Sequence, residues 1–390
     1  MRIEGFRAAG VACGIKGGGA LDLALIASDR PASVAGVFTR NQFPGAPVRV
    51  SRARARRGAG RAVVVNSGVA NVATGPEGLA AARAMARVAA RGLGVREGLV
   101  TVASTGVIGP ALPLARIEAG IPLAIRGLSA SGWGRAARAI LTTDTRPKRA
   151  HVAARGFGLG GIAKGAGMTM PRMATMLSFL ATDLAVEASF LREALREAVD
   201  PTFNALTIDG ETSTSDTVLF FANGAAGNRP LRSGSARASE LRAALREVCG
   251  SLVEQLARDG EGVSKLADVY VQGARRTRDA ERVARSVANS LLVKTALFGR
   301  DPNWGRIVQA AGAAGVRLAP ERLGVRLAGV DLLRGGRPVG GERALGRAAR
   351  GLRRRRVTIE VSLGMGSARA HVLTTDLTYE YVRINAEYTT

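Results

Sequence analysis

Short apolar runs alternate with amphipathic helical stripes along the whole chain, and this limits the fold more than any other feature. Residues 61–66 (Arg-Ala-Val-Val-Val-Asn) read as a buried strand ending in a polar turn. Residues 99–104, 217–222, 267–271, 323–327 and 357–361 repeat the pattern. Between them, residues 78–90 are Ala-rich with one polar face. Residues 187–199 carry Leu191, Ala194, Leu195 and Ala198 at helical spacing until Pro201 stops them. Residues 239–258 form the strongest stripe, through Leu241, Leu245, Val248, Leu252, Val253 and Leu256, and are expected to pack on a sheet. Asp259-Gly260 ends it. The expectation is an α/β or α+β layered protein, sheets sandwiched with helices.

The chain has 390 residues, 46% hydrophobic and 22% charged, enough for a core in two or three units. The natural division is expected at Ala174-Thr175, giving segments 1–174 and 175–390. No apolar run of about 18 residues suggests a membrane span. Arg2, Glu4 and Arg7 break any secretory pattern, so a cytoplasmic protein is expected. The net charge of +25 allows a nucleic-acid reading. Against it, the excess is scattered arginine, and aromatics make up only 4%, leaving few stacking platforms. Two clusters stand out, residues 52–57, read as a solvated loop after a strand, and residues 353–356. Neither carries a base-reading signature.

Cys13 and Cys249 stand alone, without the spacing of a zinc site or a disulfide framework. His151 and His371 are the only histidines and sit in no motif, so both read as surface or packing residues. Any Ser-His-Asp or Cys-His system would need one of them. A nucleophile that supplies its own amine needs neither.

Lys164-Gly165-Ala166-Gly167-Met168 followed by Pro171-Arg172-Met173-Ala174-Thr175-Met176-Leu177 suits such a nucleophile. Thr175 follows a small residue whose carbonyl lies open to its hydroxyl. An N-to-O acyl shift and hydrolysis would free its α-amine, which titrates near ~8 and can act as general base. By spacing alone, a Met-rich core segment with an incidental Thr is the better reading. The Gly160–Gly165 run fails as a phosphate loop, since Lys precedes Gly and Ala follows. Asp209-Gly210-Glu211 lacks the ligand spacing of a calcium loop.

Taken together, many segments resemble the ornithine acetyltransferase family, the bifunctional glutamate N-acetyltransferases of arginine biosynthesis. They include Gly5-Phe6-Arg7-Ala8-Ala9-Gly10-Val11, Gly14-Ile15-Lys16, Asn66-Ser67-Gly68, Ser104-Thr105-Gly106-Val107-Ile108-Gly109 and Thr142-Thr143-Asp144-Thr145. Beyond the Lys164–Leu177 stretch come Asp209-Gly210-Glu211-Thr212-Ser213-Thr214, Asp259-Gly260-Glu261-Gly262, Asp301-Pro302-Asn303-Trp304-Gly305-Arg306 and Ile384-Asn385-Ala386-Glu387-Tyr388-Thr389-Thr390. The resemblance spans nearly the whole chain.

The resemblance implies the ornithine acetyltransferase/DmpA-like fold of the self-processed N-terminal-nucleophile type. It implies cleavage between Ala174 and Thr175 into an α chain (1–174) and a β chain (175–390) that stay together, as α2β2 or larger. Ping-pong transfer of acetyl from N-acetylornithine to glutamate would then run through acetyl-Thr175. It implies an oxyanion pair, Thr105 and Gly106, and substrate contacts from Thr142, Lys164, Thr175, Glu261, Asn385 and Thr390, with Thr143 as a neighbouring alternative to Thr142. No cofactor or metal is expected, with acetyl-CoA a conceivable co-substrate. Val69, Val72, Ala73 and Ser215 depart from the family's usual residues. Two competing readings are an N-terminal-nucleophile amidohydrolase or aminopeptidase, whose relatives generally use Ser, and a basic nucleic-acid-binding protein.

Overall fold

The computed structural model describes residues 1–154, 156–170 and 176–387. It divides into two compact units. The first comprises Met1–Asn204 and Thr212–Leu256; the second comprises Ala205–Glu211 and the described residues from Ala257 onward.

The first unit is built on an eight-stranded sheet. Its strands are β1 (Phe6–Val11), β2 (Leu23–Phe38), β3 (Ala59–Val69), β4 (Val100–Val107), β5 (Lys148–Ala154), β6 (Phe157–Lys164), β7 (Leu177–Thr182) and β8 (Thr217–Ala222). The order is β4-β3-β2-β8-β7-β6-β5, with β1 pairing β2. β3/β4 and β7/β8 are parallel; the other pairs are antiparallel. Helices α1 (Ala46–Ala55), α2 (Gly75–Leu93), α3 (Leu114–Arg126), α4 (Trp133–Ala139), α5 (Ala188–Val199) and α6 (Ala238–Arg258) complete this part of the chain.

The continuous apolar runs have a direct cause. Successive strand side chains point to opposite faces, and here both faces are covered. Leu23 and Leu25 of β2, with Val64 and Val102, pack with Met85 and Ala86 of α2 and Ile117 and Ile121 of α3. Ala24 and Ile26, with Val63 and Val65, share a core with Trp133 and Ala136 of α4. A strand buried on both sides has no position for polar alternation.

Packing does not divide at Ala174-Thr175. β6 and β7 lie on either side of that bond in the chain, yet they form one antiparallel ladder from Leu159↔Thr182 to Lys164↔Leu177. The residue 52–57 cluster is also not a loop after a strand. Arg52 and Arg54 belong to α1, which buries Val48, Ser51 and Ala55 at helical spacing, and Arg54 pairs with Glu97 at 2.6 Å. The expected helix ahead of Pro201 ends at Val199. The long stripe is α6, whose Arg242 joins Glu193 and Glu197 of α5.

The second unit has a six-stranded sheet of β9 (Leu266–Ala274), β10 (Gly324–Leu327), β11 (Val330–Arg334), β12 (Arg337–Pro338), β13 (Arg356–Ser362) and β14 (Ala368–Thr375), in the order β12-β11-β10-β13-β9-β14. Helices α7 (Thr277–Asn289), α8 (Leu291–Gly299), α9 (Trp304–Gly312), α10 (Gly341–Gly351) and α11 (Tyr379–Glu387) follow the same chain. Ala280, Val283, Ala284 and Val287 of α7 share one core with Val269, Val271 and Ile359 of the sheet. Arg356, last of the second arginine cluster, opens β13 and forks onto Asp268 at 2.6 and 2.9 Å. His371 bonds the same carboxylate at 2.9 Å and stacks on Tyr270. The protein is therefore a mixed α/β protein. No described helix is long and apolar enough to cross a membrane.

Candidate active site

Four of the residues singled out in the sequence converge in the first unit. β4 ends in Thr105 and Gly106, and β6 ends in Lys164. The Lys164 ammonium, only 7% exposed, donates to Thr105 Oγ1 at 3.2 Å and to Thr142 Oγ1 at 2.7 Å. Thr142 rather than Thr143 receives that bond.

Gly106 requires its glycine. Its φ is +128°, and a Cβ there would stand 2.3 Å from the Gly68 carbonyl carbon on the paired strand β3. The close approach lets the chain turn sharply directly after Thr105.

The charge that makes a buried ammonium tolerable is Asp144, whose side chain is fully buried. It sits 3.9 Å from Lys164 and 2.5 Å from Lys148, itself 1% exposed. It also accepts the backbone N–H groups of Gly165 (2.7 Å) and Thr142 (3.1 Å). Burial alone would push its carboxyl up. The two ammonium groups and these hydrogen bonds outweigh burial and hold it below the usual carboxylate range. Asp144 thus braces the two residues, Thr142 and Lys164, that face each other.

A third ammonium borders the cluster. Lys16 donates to the carbonyls of Leu21 (3.1 Å) and Leu141 (2.7 Å), and burial lowers its pKa. Its loop is held by Asp22, whose carboxylate collects the N–H groups of Cys13, Ile15 and Lys16 at 2.6–3.0 Å. Asp216 anchors the start of β7. The N–H of Met176, the residue after Thr175, donates to its Oδ1 at 3.0 Å, and the neighbouring Thr217 N–H donates to the Met176 carbonyl at 3.0 Å. Full burial raises the Asp216 carboxyl well above its ordinary pKa, against the pull of that N–H and of Lys164.

Two further residues meet in the second unit. Asn385 on α11 donates to Glu261 Oε2 at 2.9 Å and to the Tyr381 carbonyl at 3.0 Å. Glu261 is 8% exposed. Gly262 lets this helix dock: at φ +64° its missing Cβ leaves room for the Tyr381 amide nitrogen, 2.4 Å from where a Cβ would stand. Thr378 Oγ1 caps the contact on the Gly262 carbonyl at 2.7 Å. Ala174, Thr175 and Thr390 lie outside the described residues.

Reading the sequence missed Asp144, Lys148, Lys16 and Asp216 as members of the site. Asp144 had a visible signal, an acid inside Thr-Thr-Asp-Thr, but a turn acid gives the same pattern. Among the described residues, no group of three His, Cys, Asp or Glu could hold a metal ion.

A buried ammonium clasped between two hydroxyls lies beside a strand-end Thr-Gly, a set of donors chemically able to face negative charge on an oxygen, in a mixed α/β enzyme fold. Residues 7–390 match the ArgJ family, and the chain belongs to that family. The arginine biosynthesis bifunctional protein ArgJ of Geobacter sulfurreducens is 48% identical over 394 residues, covering 100% of both chains. Its counterpart from Symbiobacterium thermophilum is 48% identical over 392 residues, 99% of this chain and 97% of the relative. A crystal structure of arginine biosynthesis bifunctional protein ArgJ from Bacillus halodurans aligns with a TM-score of 0.52 at 38% identity, over 55% of this chain and 100% of that one. This kinship does not favour the amidohydrolase or nucleic-acid readings.

Proposed function

We propose that this chain is an acetyltransferase of arginine biosynthesis that carries the acetyl group of N-acetylornithine to glutamate through an ester on Thr175. It first severs its own backbone between Ala174 and Thr175. The freed α-amine then takes the Thr175 hydroxyl proton as the oxygen attacks the acetyl carbonyl. Ornithine leaves with its amine protonated, and the glutamate amine attacks the acetyl ester in the reverse sense. The relatives' description as bifunctional supports a second donor, acetyl-CoA, forming the same ester.

The observation that carries this reading is the pair of hydroxyls on Lys164. A hydroxyl that accepts from an ammonium must point its own hydrogen elsewhere. Thr105 therefore has its O–H available as a donor, next to the Gly106 amide. Two such donors match the developing oxygen charge of each tetrahedral intermediate, and losing one typically costs about a hundredfold or more in rate. In the second unit, the Glu261 carboxylate suits a substrate ammonium, with Asn385 orienting it.

Two findings support processing. The Bacillus halodurans chain, matched along its whole length, corresponds to 55% of this chain, the share that residues 175–390 make up (216 of 390). The β6–β7 ladder crosses the expected cut, so fragments would stay joined by a continuous sheet. On this reading the pairs associate as α2β2 or larger, in the cytoplasm.

Intact-mass analysis tests the proposal. The purified protein should appear as two fragments, and incubation with N-acetylornithine should add one acetyl mass to the fragment beginning at Thr175. Thr175→Ala should remain a single polypeptide without transfer activity. A Thr175→Ala protein that still splits, or a mature enzyme that never carries the acetyl mark, would falsify it.

A further inference from the structure

The C-terminal half of β2, helix α1 and helix α5 border a cleft of about 810 Å³ in the first unit, which the proposed transfer chemistry does not use. Arg40, Arg52, Arg56, Arg192 and Arg196 line it, and no carboxylate is among the lining residues. Some arginines of this unit outside the cleft pair with acids, Arg54 with Glu97 and Arg242 with Glu193 and Glu197; within it, Arg192 donates to the Arg56 carbonyl at 3.5 Å. Helix α5 shows the segregation most clearly. Its two glutamates are engaged by Arg242, while Arg192 and Arg196, one turn apart, border the cleft. Like charges at that spacing repel and destabilise a helix unless something neutralises them.

The cleft also has a fixed wall. Arg52 donates to the Thr39 carbonyl at 2.6 Å, and its guanidinium lies 5.8 Å from the Phe38 ring centre. Burial and the neighbouring Arg56 both lower its pKa, the direction expected when cations crowd without a counter-ion. Thr39 is tied onward, its N–H donating to the Asp216 carbonyl at 3.0 Å. Asp216 is the residue that holds Met176, one position beyond Thr175.

We propose that this cleft is a binding site for a small polyphosphate anion, namely a nucleoside carrying two or more phosphate groups. Guanidinium forks match phosphate oxygens two at a time. Ligand pockets span roughly 300–1,000 Å³, and this cleft has the scale of a nucleotide rather than of an amino acid. Glutamate and ornithine derivatives carry too few negative charges to neutralise five arginines; a diphosphate with a further phosphate does so far better. Two sources share that chemistry, a free nucleotide such as ADP and the phosphorylated adenosine end of coenzyme A. The inference rests on the cleft alone, and it stands or falls by binding, without reference to acetyl transfer.

Calorimetric titration of the purified full protein with ADP, coenzyme A and orthophosphate, at low and high salt, tests it. ADP or coenzyme A should bind at least about tenfold more tightly than orthophosphate, and salt should weaken both. Arg192→Glu/Arg196→Glu should weaken binding at least about tenfold, with circular dichroism confirming the fold; should that variant fail to fold, Arg56→Glu decides in its place. Tighter coenzyme A than ADP assigns the site to the coenzyme, and the reverse order assigns it to a free nucleotide. Absence of binding for both, or an unchanged Kd in the folded variant, overturns the proposal.

Discussion

Lys164 in the first unit and Lys294 in the second are both buried, 7% and 2% exposed, and both donate to a pair of threonines. Lys164 meets Thr105 and Thr142. Lys294 meets Thr374 Oγ1 at 3.3 Å, Thr375 Oγ1 at 3.0 Å and the Thr375 carbonyl at 2.5 Å. The difference is the counter-ion. Lys164 has the buried carboxylate of Asp144. Lys294 has no carboxylate within ion-pair distance among the described residues, and burial, only partly opposed by Asp209 and Asp376, lowers its pKa to about 8. Similar hydroxyl settings thus serve two ends. One sets a lysine against a buried carboxylate beside the expected chemistry; the other pins a strand end with a lysine whose pKa burial lowers.

The sharpest way to break the contrast is to remove the counter-ion. Asp144→Ala leaves Lys148 and Lys164 buried without their carboxylate, and such losses cost about 3–5 kcal/mol. Urea denaturation should show that loss, and acetyl transfer should fall with it. Asp144→Ala combined with Lys148→Met should recover much of the stability but not the activity, because Lys164 then lacks the Asp144 carboxylate that lies 3.9 Å from it. An Asp144→Ala protein with unchanged midpoint and rate would contradict the role assigned to the carboxylate.

Lys294→Met sharpens the other side. The native lysine titrates near 8 when folded and near 10.4 when unfolded. Below 8 both states are protonated, and the folded state bears the full cost of a buried charge. Between about 8 and 10.4 the unfolded chain binds more protons, so stability rises with pH and the cost fades. Lys294→Met should therefore be more stable than the native protein at pH 7, by at most about 3 kcal/mol, with the advantage shrinking toward pH 10. Thermal melts at several pH values read this directly, and a pH-independent difference would rule it out.

The smallest effect is expected at Asn385, which has one side-chain bond to Glu261 on an exposed helix. Asn385→Ala should raise the KM for the amino-acid substrates by roughly three- to tenfold, the worth of one typical hydrogen bond at a solvent-exposed helix, with little change in kcat. Steady-state kinetics separate the two; a fall in kcat alone would make Asn385 part of the chemistry instead.

Much of the scaffold was legible beforehand. The valine run of β3, the Thr-Gly at the end of β4 and the α6 stripe carry their structure in local periodicity, which side-chain burial then reinforces. Asp144 and Lys148 were not legible, because an acid four residues before a lysine looks like any solvated pair.

The order of strands and helices and the layered class were determined by the sequence, since each depends on neighbours within a few positions. Tertiary structure alone decided which charges face each other. The antiparallel register of β5 and β6 sets Lys148 opposite Ala163, beside Lys164, and so brings two cations to one carboxylate. It likewise decided that Asp216 is buried against Met176, forty residues away in the chain. The physical reason is that the energy of a charge depends on what surrounds it in space and on the exclusion of water, and neither is written in the order of residues along the chain.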